Sequence, residues 1–512
     1  MSNPKEIETL EQPLENPEPI NEQDPAKIMR CDMFAYSEPP RCYSENTSKE
    51  ELVLEHVLEY KRQFKVIYDS LRKLLLAPKN ERGIRKFICT TIRPTKLPFT
   101  ELYEWEKCAK FVSDYIDYEE LEEPDKFPSI IPSPANILEW QAGDAFDMSI
   151  VLCSLLNGAG YDAYVVHGTA PKRITLKDES LMDCPFSLDI NDNEDRDDPE
   201  VDEDEAMMQD EKKDKIVPID DFNVEFIINP QSNFDASIAK ANADKANAAN
   251  VAATIIDDDE PDYEKDDEFG RNRKHCWVYI AKGKRELSES FFIEPSTGRK
   301  YTVEDAPYFT IEAIFNHKNY WINMDPSKEL IEINMDFEFD TNGDWEYVMI
   351  KNDEKKGEDE EENPDDDEEE GDEVANNEEE VLDMPPPWSP KLFVNKDKFV
   401  ELCPKGEKTL FYKKCKVEFF SDCRQVDGLV KRVSIYEDYK KLITKEVRSY
   451  YKFRRDKLIL RRRFPYEFKT IEHYEQSEKT NNWKKMIQVD DRYRKIYFYH
   501  HRNKDGLIYR EE

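Results

Sequence analysis

Apolar positions in the first third of the chain fall at helical spacing. Val53, Val57, Tyr60, Phe64, Ile67, Leu71 and Leu74 recur at alternating steps of four and three. That rhythm predicts a helix over 50–76, stopped by Ala77-Pro78. The pattern then changes. Phe87-Ile88-Cys89-Thr90-Thr91-Ile92 predicts a strand, and 101–118 predicts a second helix. Asp144 stands as an N-cap before Phe146, Ile150, Leu152, Cys153, Leu155 and Leu156, which predict a helix buried on most sides; Gly158-Ala159-Gly160 ends it. Residues 161–167 have strand composition. Further strands are predicted over 274–280, 290–293, 308–315 and 320–324, with a turn at Pro295-Ser296-Thr297-Gly298. A hairpin is predicted over 331–350 around Asn342-Gly343.

From Met384-Pro385-Pro386-Pro387-Trp388 onward the chain turns Lys-, Arg-, Tyr- and Phe-rich, and it repeats itself. Asp427-Gly428-Leu429-Val430-Lys431-Arg432 returns as Asp505-Gly506-Leu507-Ile508-Tyr509-Arg510. Asp-Gly turns between short alternating strands predict a stack of hairpins. The chain stops just inside the second copy, which leaves open a continuation past residue 512.

Two segments carry no such pattern. One, about 189–270, is acidic at both ends and Ala/Asn-rich between; the other, 353–383, holds 19 Asp/Glu against two Lys. Neither can bury enough apolar surface to fold, so both are expected to be disordered, solvated insertions. The net charge of −39 is therefore unevenly spread. Residues 401–512 hold 29 Lys/Arg against 18 Asp/Glu. Parts of opposite sign suit an adaptor better than a uniformly acidic enzyme. Ten cysteines are scattered with no Cys-x-x-Cys and no zinc spacing. The polar, Pro-rich opening is neither a signal nor a transit peptide, and no apolar run approaches the roughly 18 residues that span a bilayer. The expected setting is a reducing compartment continuous with the cytosol, without membrane, metal or cofactor. Glu338, Asp340, Asn342 and Gly343 imitate the start of a calcium loop, but Met349 stands where its closing Glu belongs, so a β-turn is expected.

The candidate chemistry lies in three runs. Gly143-Asp144-Ala145 opens a helix, His275-Cys276-Trp277-Val278 lies on a strand, and Phe292-Ile293-Glu294-Pro295 ends the next one. Together they resemble the transglutaminase-like, papain-like superfamily. In that superfamily a Cys after Gly-Asp attacks, a His takes the proton and an Asp orients the imidazole. Carried over, the nucleophile position is Ala145, whose methyl cannot attack; the base position is His275; the orienting position is Glu294, one methylene longer. Cys153 lies about 12 Å farther along the helix at its 1.5 Å rise per residue. Cys276 points away from the face of His275. Neither replaces the nucleophile, and the resemblance implies a domain without catalysis in which His275 bonds to Glu294.

A second candidate site is basic. Arg454, Arg455, Arg461, Arg462 and Arg463 stand among Tyr450, Tyr451, Phe453 and Phe464. Such a mixture binds phosphates and stacks bases, or docks on an acidic protein surface. With no nucleic-acid motif present and polyanions in the same chain, protein is the expected partner.

A closer resemblance rests on longer strings: Gln141-Ala142-Gly143-Asp144, Gly160-Tyr161-Asp162-Ala163-Tyr164, Gly283-Lys284-Arg285-Glu286 and Asn316-His317-Lys318-Asn319-Tyr320-Trp321-Ile322-Asn323-Met324. With Asp427 to Asp438, they resemble the subunit 7 family of the dynein regulatory complex, the nexin link of motile cilia and flagella. That resemblance implies a structural subunit of the axoneme, beside doublet microtubules, inner dynein arms and the other subunits of the complex. The fold expected is α+β: a flexible leader (1–48), a degenerate papain-like, transglutaminase-like domain (49–185 and 271–350) with an acidic insertion (186–270), an acidic linker (351–383) and a basic β-rich hairpin-repeat region (384–512). The competing readings are an active cysteine protease or transglutaminase-like enzyme, and a polyanionic chaperone or ion-binding protein.

Overall fold

A computed structural model describes residues 27, 29–31, 40–68, 72–186, 267–337, 343–349, 382–476, 482–490, 492–499 and 507–512. Residues 189–266 and 353–381 of the two acidic runs, the calcium-loop residues Glu338, Asp340 and Asn342, and the repeated Asp505-Gly506 lie outside the described residues. The chain divides into two units. One comprises Met1–Lys177 and Tyr263–Lys405, the other Asp178–Asp262 and Gly406–Glu512.

The first unit opens with helix α1, Ser48–Ile67, closed by a capping box in which Thr47 and Glu50 satisfy each other's backbone N–H. Val53, Val57 and Phe64 of the predicted stripe are buried, but the helix ends at Ile67 rather than continuing to 76. Helix α2, Trp105–Tyr115, is shorter at both ends than expected. Phe87 to Ile92 is not a strand. Ile88–Thr91 forms a buried 3₁₀ turn whose free backbone groups are taken by 388–389: Trp388 N–H donates to Thr90 O, and the Ser389 hydroxyl to Thr91 O. Trp388, Leu392 and Val394 thus belong to this unit's core, and the repeat region starts later than residue 384. The leader is also corrected at the residues described, since Lys27, Cys31 and Tyr43 are buried.

Helix α3, Pro134–Trp140, ends at Gln141 in the left-handed region (φ 54°). Strand β2, Ala142–Gly143, then pairs with β1, Asp117–Tyr118, and leads directly into α4, Ala145–Gly158. All residues of α4 from Ala145 to Leu156 are buried. It packs on a seven-stranded antiparallel sheet of order β6-β5-β4-β3-β7-β8-β9. These strands are β3 (Ala163–Thr169), β4 (Lys274–Ile280), β5 (Phe291–Glu294), β6 (Arg299–Thr302), β7 (Thr310–Phe315), β8 (Tyr320–Asn323) and β9 (Trp345–Tyr347). The hairpin expected over 331–350 is not formed: β9 pairs with β8, and Leu330–Glu332 is a 3₁₀ turn.

Alternation along the strands divides the core. Cys276, Val278 and Ile280 of β4 join α4 in one apolar cluster, while Trp277 and Tyr279 join Tyr164, Phe292, Tyr308 and Trp321 in a second. Gly168 passes close to β7: a Cβ there would sit 1.9 Å from Thr310 O. Gly168→Ala should therefore cost about 1–3 kcal/mol, the range for forced overpacking, read as a lower urea midpoint at unchanged slope.

The second unit is a nine-stranded antiparallel meander, β10 to β18, in which every neighbour in space is a neighbour in sequence. It runs from Glu407–Tyr412 (β10) and Cys415–Phe420 (β11) through Leu429–Tyr436 (β12), Thr444–Tyr451 (β13), Leu458–Phe464 (β14) and Lys469–Tyr474 (β15). Trp483–Val489, Tyr493–Phe498 and Tyr509–Glu511 complete it as β16, β17 and β18. Gly428 allows the β11–β12 and β13–β14 turns to touch, with Lys452 N–H donating to Gly428 O. Residues 182–186 also join this unit: Met182, Cys184 and Phe186 pack with Tyr412, Cys415, Val417 and Val433.

Candidate functional site

The N-terminus of α4 is built as a cap. Asp144 Oδ1 accepts from the N–H of Phe146 (2.8 Å) and Asp147 (3.0 Å), and Asp147 Oδ2 accepts from Asp144 N–H (3.2 Å). Ala145, the position expected for a nucleophile, is 1% exposed between them. A cation completes the arrangement. Lys27 Nζ lies 2.8 Å from Asp144 Oδ2 and 2.7 Å from Asp147 Oδ2, with all three side chains buried. Burial and the neighbouring Asp144 push the Asp147 carboxyl up to about 8, against the pull of Lys27. Burial works to lower the Lys27 ammonium, but Asp144 and Asp147 outweigh it and hold it above its ordinary value. One ammonium thus faces two carboxyl groups. Arg30 extends this packing by pairing with Glu119 and lying 5.9 Å from the Trp140 ring centroid.

His275 and Glu294 are brought together. Nε2 lies 2.9 Å from Glu294 Oε2, and each side chain is 1% exposed. Glu294 also accepts from Tyr308 OH (3.1 Å), Ser296 OH (2.7 Å) and Ser296 N–H (3.3 Å). Burial acts to raise its carboxyl, but His275 and Ser296 outweigh this and hold it low. Every acceptor direction is used, which is how a buried carboxylate is made tolerable. His275 stacks beside Trp277 and Tyr308 of the second cluster, whereas Ala145 lies in the first. The β4 residue on the α4 side is Cys276, whose thiol burial pushes far above its ordinary value, so it is inert as a nucleophile.

A buried polar group that the sequence reading passed over lies on β3. His167 Nε2 is 2.7 Å from Tyr320 OH, and its Nδ1 is 3.7 Å from Glu312, which Lys274 meets at 2.5 Å. Its ring rests edge-on against Phe127. Only a histidine in an otherwise apolar strand hinted at it. Lys27 had no local signal at all, being 117 residues from Asp144.

The five arginines do not form one patch. Along β14, alternation sends Arg461 and Arg463 to one face and Arg462 to the other. Arg462 meets Glu446 at 2.7 Å, and Glu446 also takes Arg448 at 2.9 Å; all three side chains are about 11% exposed or less. Arg461 pairs with Glu472 (2.6 Å) and Arg454 with Asp456 (2.6 Å). Arg455 and Arg463 are exposed, and among the described residues neither has an ionic partner. Among the described residues no group of His, Cys, Asp or Glu is arranged to hold a metal, and no helix is long and apolar enough to cross a membrane.

Comparison with known proteins places both parts. Residues 404–512 match the family described as the Dynein regulatory complex subunit 7 MORN domain, and residues 268–348, which hold His275 and Glu294, match the CEP76 peptidase-like domain. Dynein regulatory complex subunit 7 of Bos taurus is 33% identical over 491 residues, covering 94% of this chain and 54% of that protein. The protein of that name in Chlamydomonas reinhardtii is 31% identical over 476 residues, 92% of this chain and 31% of its own length. The coiled-coil domain-containing protein lobo of Drosophila melanogaster is 28% identical over 474 residues, 87% of this chain and 50% of that protein. The chain spans about half the length of the vertebrate relatives it matches. Over nearly its whole length, this chain is a homologue of the proteins named Dynein regulatory complex subunit 7.

Proposed function

We propose that the chain is a non-catalytic structural subunit of the nexin–dynein regulatory complex of the ciliary and flagellar axoneme. There it would scaffold the linker between doublet microtubules, contact other subunits of the complex, and help regulate the neighbouring inner dynein arms. What carries this reading is the similarity, over more than nine-tenths of the chain, to proteins that bear the subunit's name. The first unit is read as a degenerate transglutaminase-like domain, expected over about 49–185 and 271–350 and interrupted and followed by acidic segments, with 178–185 falling in the second unit. Its vestigial positions are Ala145, His275 and Glu294. Two features support the absence of chemistry: an alanine stands at the nucleophile position, and the His275–Glu294 pair is sealed, with Glu294 saturated by four donors. The basic repeat sheet is read as the docking part, with Arg455 and Arg463 as its unpaired cations and Arg454, Arg461 and Arg462 holding it in shape.

The test has two parts. The tagged chain expressed in a motile ciliate or alga should co-fractionate with demembranated axonemes and leave them only at high salt. The purified chain should show no amide hydrolysis or transamidation. Recovery in the detergent-soluble fraction would overturn the axonemal reading, and saturable turnover lost in His275→Ala would overturn the non-catalytic one.

A further inference from the structure

The repeat sheet carries a groove on one face. Its volume is about 530 Å³ and it spans four strands, β11 to β14. The register explains its shape. Lys416, Ser434, Val447 and Arg463 stand side by side in one row across the sheet. In that row two long cationic side chains flank two short ones. In the adjacent row Glu418, Arg432, Ser449 and Arg461 repeat the low centre at Ser449. Ser434 and Ser449 are each 8% exposed, forming a floor below the arginines. The walls on β11 and β14 are three strand spacings apart, about 14 Å at about 4.8 Å each. An α-helix with its side chains measures about 10–12 Å across.

Charge narrows the choice of occupant. In the Ser449 row the charges are answered within the sheet, Glu418 lying near Arg432 and Glu472 on Arg461. The other row keeps a surplus, because Arg463 has no ionic partner among the described residues and Lys416 reaches only Glu418. Val447 and the Tyr451 ring supply apolar contact on the floor. A run of consecutive carboxylates would leave these uncovered and would repel itself at i,i+4.

We infer that this groove is a receptor for an acidic amphipathic α-helix of a partner protein, lying along the strands with its carboxylates toward Arg463 and Lys416 and its apolar stripe on Val447 and Tyr451. The inference rests on the reading of the repeat sheet as the docking part and specifies its partner.

The probe is a fluorescein-labelled synthetic helix of about 20 residues, about 30 Å long. It carries Glu pairs at i,i+4 beside a Leu stripe, and a second peptide has Lys in place of every Glu. Binding to the full chain is read by anisotropy. The Glu peptide should bind at least about tenfold more tightly than the Lys peptide, with affinity falling as salt rises. Arg463→Glu with Lys416→Glu should weaken it by at least about tenfold, since like charges then face each other. Lys484→Glu, exposed on β16 and outside the groove, should leave it within about twofold, as a distant surface site does. Equal binding of the two peptides, or no response to the double reversal, would overturn the inference. Carbodiimide cross-linking of the full chain checks the other occupants. Links from Lys416 to 189–211 or 353–383 within one chain would assign the groove to the chain's own acidic segments instead; links between chains would assign it to a second copy. Failure here would leave axonemal co-fractionation untouched, so the two readings fail separately.

Discussion

Replacing Lys27 by Met should lower the stability of the first unit by about 3 kcal/mol, at the lower end of the range for removing one partner of a buried ion pair. For a unit of this size that is a fall of roughly 10 °C in the melting midpoint. The reasoning starts from the helix cap. A single carboxylate at an N-terminus is favoured by the helix dipole and by the free N–H groups it accepts from. Asp144 already takes that place, and Asp147 is a second acid in the same buried space. The ammonium of Lys27 offsets the excess. Its removal leaves two carboxyl groups sharing the site without a cation, so Lys27→Met combined with Asp144→Asn should recover most of the loss. A Lys27→Met protein that melts like the parent would show that 27–31 does not hold the cap.

The same site gives a pH signature. Asp147 titrates near 8 in the folded protein against about 3.8 ordinarily, so between those values the folded state keeps a proton that the unfolded chain has lost. Stability should therefore fall as pH rises through that window. Asp147→Asn removes the titration and should flatten the fall, so that the variant gains on the parent between pH 5 and pH 8. Urea midpoints across that range decide it.

How far these features could be read from sequence depended on how local their causes are. Asp144 as a cap, the buried α4 and the strand β4 were legible because each rests on near neighbours: a side chain two residues from the N–H it caps, a periodicity, an alternation. The hairpin stack was legible from Asp-Gly turns, and the nine-stranded meander is its fulfilment. The turn at 88–91 misled because β-branched composition reports burial rather than extension, and Trp388, almost 300 residues away, supplies the packing. Lys27 failed for the same reason, with nothing beside it in sequence to show where it would be buried. His275 and Glu294 were paired through the superfamily resemblance, and they do meet, but which cluster they bordered depended on which face α4 covers, and that is a tertiary fact. The arginine cluster was different. Three consecutive arginines on a predicted strand must alternate, so the separation of Arg462 from its neighbours was available from period two alone.

That separation leads to the second large effect. Reversing Arg462 and reversing Arg463 should have opposite consequences, although the residues are adjacent and identical in type. Arg462 and Arg448 share Glu446; burial acts to raise that carboxyl, and the two guanidinium groups outweigh it and hold it low. Arg462→Glu would place a second carboxylate against Glu446 in this enclosed space. The expected cost is about 3–5 kcal/mol to the repeat sheet, the cost of leaving a buried charge uncompensated. Arg463 is exposed, so Arg463→Glu should change stability by no more than about 0.5 kcal/mol, as surface substitutions do. Docking should respond in the reverse sense. Arg463→Glu should release an otherwise normally folded chain from axonemes at lower salt, while Arg462→Glu should act only through unfolding and be partly relieved by Glu446→Gln. Reversing all three of Arg461, Arg462 and Arg463 would merge the two effects, so the single variants are the informative ones. Far-UV circular dichroism against urea separates them from salt extraction, and an Arg462→Glu sheet as stable as the parent would show that the Glu446 network does not hold the hairpins together.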